Sequence, residues 1–193
     1  MTRLPGYAAA ALLCAGCAAD HDKSANPAAA AAHTTGCIAG GGGFLHAQVR
    51  GAVVADLDWS NTQMECAGGP RPEGRGLRLT FAGELPRHAA ADAARQLRFI
   101  FGVDQQDGAP GAVQALPTNL TVILEGEQQL YATRGAGNCA VELLERTPLA
   151  GAAGKSRVHA RGYCLGPATN IAGDARVLVP TFEFTGVADT EVP

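Results

Sequence analysis

The chain has 193 residues, a formal net charge of −3 and 17% charged residues. That balance argues against a nucleic-acid partner, which calls for a basic face. Outside the leader no stretch approaches the ~18 consecutive apolar residues that a membrane-spanning helix needs.

The first element is a leader. Met1, Thr2 and Arg3 give a short positive start, Ala8 to Leu13 form an apolar run, and the small residues Ala15 and Gly16 precede Cys17. The layout is that of a secretory signal peptide over 1–16, whose apolar run is too short to span a bilayer. The Ala15-Gly16-Cys17 ending resembles the lipobox of bacterial lipoproteins, with Cys14 standing where that pattern usually has Leu. The resemblance implies that Cys17 becomes the first mature residue and carries the lipid. Ordinary signal cleavage at a nearby Ala is the other reading. Ala18, rather than Asp, follows the cysteine, which points to an outer-membrane anchor facing the periplasm.

Residues 17–43 read as the lipidated cysteine and a flexible Ala/Gly-rich tether, with Pro27 early and Gly40 to Gly43 at its end. The tether has no periodic apolar face to offset the entropy of ordering it. A β-rich globular domain is expected over 44–193, about the usual size of one domain.

From Phe44 onward the apolar pattern has period two. Val49, Val53, Ala55, Leu57 and Trp59 share one face. Leu77, Leu79 and Phe81 share another, as do Leu97, Phe99, Phe101 and Val103, with Ile100 adding an apolar residue behind them. Leu120, Val122 and Leu124 follow, then Leu130 and Tyr131, then Cys139, Val141 and Leu143, then Val158, Ala160, Gly162 and Cys164. In the last segment Val177 and Val179 give way to Phe182 and Phe184, and the change of phase at Pro180 predicts a bulge or an edge. Each such segment is a half-buried strand. Gly68 to Gly74, Asp107 to Gly111 and Gly173-Asp174 read as loops, Glu125 to Gln128 as a hairpin connection, and Ala89 to Arg95 as one short helix. The expected fold is all-β: an antiparallel sandwich of about eight strands, or alternatively a closed lipocalin-like barrel.

After Cys14 and Cys17, the cysteines that remain are Cys37, Cys66, Cys139 and Cys164. Their spacings fit no zinc or redox motif, and an even number in an exported chain reads as disulfides with three pairings open. An antiparallel hairpin favours one of them. The register that sets Cys139 opposite Cys164 also sets Val141 beside Gly162 and Leu143 beside Ala160, so inward residues meet inward residues. Cys37 is then left to Cys66.

Residues able to carry chemistry are sparse. The three serines, Ser24, Ser60 and Ser156, lie outside any Gly-x-Ser-x-Gly turn. Gly151 to Ser156 lacks the spacing of a phosphate loop and reads as a hairpin loop. Asp56, Asp58, Ser60 and Asn61 alternate as oxygen ligands do, but the glycine and twelfth-position Glu of a calcium loop are missing. His21, His33, His46, His88 and His159 have no helical pair spacing, and His159 is expected in solvent. Arg71, Arg75 and Arg78 form a small basic cluster read as solvated loop residues. Trp59 is expected to plug the core. No catalytic residue, metal site or cofactor is expected.

The run from Glu65 to Leu79, with the later Cys139 and Gly162-Tyr163-Cys164, resembles a family of uncharacterised exported proteins of Xanthomonas-type proteobacteria. The resemblance implies export and a recurring domain, and it carries no activity. Lipocalins are similar in strand number and length, but Leu57 and Asp58 precede Trp59 where those proteins have Gly-x-Trp. The function expected is a non-enzymatic envelope lipoprotein, structural or protein-binding, bound to the membrane by its lipid. The alternative is a carrier of a small apolar ligand, with Ala52, Ala82 and Ala160 making room inside.

Overall fold

The structure is a computed structural model that describes residues 36–72, 75–87, 94–105, 115–135 and 137–190. Among these residues twelve strands follow in chain order: β1 (Phe44–Gly51), β2 (Ala55–Ser60), β3 (Met64–Pro70), β4 (Gly76–Glu84), β5 (Gln96–Asp104) and β6 (Leu116–Glu125). They continue as β7 (Gln129–Ala132), β8 (Cys139–Pro148), β9 (Lys155–Cys164), β10 (Ala168–Asn170), β11 (Arg176–Leu178) and β12 (Thr181–Asp189). All pair antiparallel in one large sheet.

Several of the shorter strands are halves of longer ones. β11 and β12 both pair with β1, β11 through Arg50 and Gly51 and β12 through Phe44 to Ala47. The ladder slips by one residue between them, around Val179 and Pro180, since Pro has no N–H to give. β9 and β10 pair with β12 and β11 in turn, so 155–189 is one long hairpin turning at Ile171 to Asp174. β7 and β8 divide the free flank of β6, β7 through Thr121 to Leu124 and β8 through Leu116 to Thr118. The result is a meander from β3 through β4, β5 and β6 across to β12, β1 and β2.

The strip curls so that its two halves face each other as layers. Phe101 of β5 lies 4.7 Å from Phe182 and 4.9 Å from Phe184 of β12, ring centre to ring centre, and Phe81 of β4 lies 4.8 Å from Phe184. Strand periodicity explains which residues go inside. β2 alternates buried and exposed without exception, so Ala55, Leu57 and Trp59 enter the core while Asp56, Asp58 and Ser60 face out. Two inward glycines allow the rings to seat. A Cβ on Gly83 would stand 2.9 Å from the Trp59 ring, and one on Gly186 would stand 2.8 Å from Phe81. Trp59 also donates its Nε1 hydrogen to the Glu84 carbonyl at 2.9 Å, which satisfies its one polar atom.

The strands differ from expectation at several places. The run from Val49 to Trp59 is a hairpin rather than one strand, reversing at residues 52–54. β3 passes straight through Gly68 and Gly69, assigned to a loop by composition, because β4 supplies the ladder and Gly68 must admit Val187 and Ala188 alongside it. Of the short helix expected over Ala89 to Arg95, most lies outside the described residues, and Ala94 and Arg95 are not helical. The loop at Asp107 to Gly111 also lies outside them. Residues 36–43 are part of the body: Cys37 and Ile38 are buried at 6% and 2% exposure. Asn61 clamps them, its Oδ1 accepting from the backbone N–H groups of Ile38 (2.9 Å) and Gly43 (3.0 Å).

Two disulfides join Cys37 to Cys66 and Cys139 to Cys164. Cys139 stands opposite Cys164 and Val141 opposite Gly162. Beyond that point the expected register is corrected. A β-bulge at Glu142 places Leu143 opposite Arg161 and Leu144, not Leu143, opposite Ala160.

Candidate functional site

The bulge leads to a concave part of the outer face. Outward positions of five neighbouring strands, β8, β9, β12, β1 and β2, line a groove of about 460 Å³. Pleating decides which residues reach it, because every second side chain on each strand points away from the core. One row across the sheet runs Arg161, Glu183, His46, Asp58, each directly opposite the next. The next row brings Tyr163 opposite Thr181 and Gln48 opposite Asp56. Glu142, the extra residue of the bulge, adds a carboxylate at the β8 wall.

Alternating charge along a row is favourable across strands, yet the charges do not all pair along it. His46 Nε2 lies 2.9 Å from Asp58, and Arg50 lies 2.6 Å from Asp56. Glu183 turns diagonally to His159, whose Nε2 is 2.9 Å away, and the other ring nitrogen faces Glu145 at 3.4 Å. Arg161, although opposite Glu183, is therefore left over. Among the described residues, the side chains of Gln48, Glu142, Arg161, Tyr163 and Thr181 have neither a hydrogen-bond nor an ion-pair partner.

The residues singled out in the sequence are distributed differently. Cys17, His21, Ser24, His33 and His88 lie outside the described residues. Cys37, Cys66, Cys139 and Cys164 are consumed in the two disulfides. His159 is not solvated as expected but half-buried between two carboxylates. Asp56, Asp58 and Asn61 take separate partners in Arg50, His46 and the 36–43 segment, so they do not converge on one ion. Among the described residues no group of three or more His, Cys, Asp or Glu is placed to hold a metal. Ser60 bonds Gln63, and Ser156 is buried opposite Ala188. Arg71 lies over Gly102, the residue directly opposite Arg78 in the ladder, so these two arginines share the outer face.

Ala160 lies in the core as the carrier reading expects, but Ala52 sits in the β1–β2 turn, and Ala82, although buried, is on the strand face of Arg78 and Thr80 rather than that of Leu79 and Phe81. The interior at these levels is occupied by aromatic rings. Compared with models of protein families, with curated proteins and with solved structures, the chain finds no match.

Proposed function

We propose that the protein is a non-enzymatic lipoprotein of the bacterial envelope, held at the outer membrane by acyl chains on Cys17 and presenting a rigid β body to the periplasm. The observation that carries this reading is the pairing of all four body cysteines in disulfides, which persist in oxidising compartments. A secretory leader ending Ala15-Gly16-Cys17 supplies the route to such a compartment. The module works by contact, and its contact face is the outer groove. Support for an outer rather than an inner site comes from packing. Phe81, Phe99, Phe101 and Phe184 are fully buried against one another, where a carrier of an apolar ligand would need a cavity.

Metabolic labelling with a radioactive fatty acid tests the anchor. The wild-type chain should take up label and fractionate with membranes, and Cys17→Ser should lose the label. Label retained by Cys17→Ser would overturn the reading.

A further inference from the structure

We infer that the outer groove binds a neutral oligosaccharide. The inference rests on the groove being the contact face of the envelope module, and it names the chemistry of what is contacted.

The unpaired groups decide the ligand class. Partnered charges at the rim, Arg50 with Asp56 and His46 with Asp58, already satisfy one another. What remains is one cation, Arg161, one anion, Glu142, the amide of Gln48 and the hydroxyls of Tyr163 and Thr181. The two unpaired charges are of opposite sign, and the other carboxylates, Asp56, Asp58 and Glu183, each have a partner. The groove therefore offers no free run of one sign to a polyanion or a polycation. Guanidinium, carboxylate and amide are planar and can each engage two adjacent groups at once, donating, accepting or both. Vicinal hydroxyls of a sugar ring offer that paired arrangement. The Tyr163 ring adds a flat apolar surface beside them for the C–H face of the sugar. A volume of about 460 Å³ lies within the range of small-molecule sites.

The fold has placed these groups by local irregularity. In a regular ladder Glu142 would stand directly opposite Arg161; the bulge gives that place to Leu143 and leaves Glu142 unpaired at the groove wall. Bulges are a recurrent means of re-aiming one side chain at a site. Glu183 is held by His159, which leaves Arg161 unpaired. A peptide ligand is less well served, because the floor is the face of paired strands rather than an open edge that could add a strand.

The test uses the purified full chain in detergent micelles, isotope-labelled and titrated separately with N-acetylglucosamine trimer, maltotriose and the dipeptide glycylglycine. At least one of the two sugars should bind saturably, with shifts concentrated at Gln48, Glu142, Arg161 and Tyr163. Glu142→Gln and Arg161→Ala should each weaken that binding at least tenfold while the far-ultraviolet spectrum and melting point stay at wild type. Failure of both sugars, binding of the dipeptide alone, or sugar binding unaffected by both substitutions would overturn the inference. The anchor does not enter this titration, so its outcome and that of fatty-acid labelling are independent.

Discussion

Gly186 and Phe81 show how little latitude single residues have in this core. The glycine lies on β12 where a Cβ would stand 2.8 Å from the Phe81 ring, and Phe81 itself rests on Phe184. Gly186→Ala should therefore destabilise the body by about 1–3 kcal/mol through overpacking. Urea unfolding measures it, and in a double-mutant cycle Phe81→Leu should recover part of the loss. No coupling between the two positions would mean that the ring does not set the size limit. Asn61 acts at the other end of β2. Its side chain accepts two backbone hydrogen bonds, and its Nδ2 donates to the Ile38 carbonyl at 3.2 Å. Asn61→Ala should cost about 1–3 kcal/mol by leaving these groups unpaired. Hydrogen exchange at Ile38 and Gly43 should rise with it. The exposed pairs Arg50–Asp56 and His46–Asp58 are a contrast, since screened surface pairs contribute ~0–1 kcal/mol each.

At the scale of elements, the hairpin of β8 and β9 is the most constrained unit. The Cys139–Cys164 bridge closes 25 residues of sequence separation, and by the loop-entropy model it stabilises by about 3.5 kcal/mol. Replacing both cysteines by Ser should lower the urea midpoint by a comparable free energy without altering the β-sheet spectrum. A loss below ~1 kcal/mol would place the constraint elsewhere. The bulge makes a separate prediction. Because Glu142 is the one unpaired residue between Val141 and Leu143, a chain lacking it can keep every other cross-strand pair. Amide exchange in β8 and β9 should then stay protected after its deletion; general loss of protection would show that Glu142 is part of the ladder.

At the scale of the whole molecule, the body begins before the first strand. Cys37 and Ile38 are buried, and Arg157 of β9 donates to the carbonyls of Gly41 and Gly42 at 3.1 Å each. Brief proteolysis should leave a resistant core that retains Cys37 to Gly43 rather than one starting at Phe44, as N-terminal sequencing of the fragment will report. A core beginning after Gly43 under non-reducing conditions would contradict both the disulfide and the clamp.

The sequence by itself determined the all-β class and, for the strongly alternating segments, which face is buried; it did not show β3 or β10, or the hairpin turn between β1 and β2. A period-two pattern such as Leu97, Phe99, Phe101, Val103 has only one way to hide its apolar side. It also determined the register of Cys139 against Cys164, since one face of each strand is apolar and a slip would expose it. Glycine composition misled where neighbours decide: Gly68 and Gly69 look like a loop, and become strand because β4 is there to pair with them. Only the tertiary structure decided the groove. Its residues are ordinary outward positions on five strands, from Gln48 near one end of the body's sequence to Glu183 near the other, and an outward position carries no hydrophobic pattern. Burial leaves a periodic trace along the chain because each strand must satisfy it alone. Juxtaposition on a surface leaves none, because it exists only once cross-strand register and a bulge of one residue have set those strands side by side.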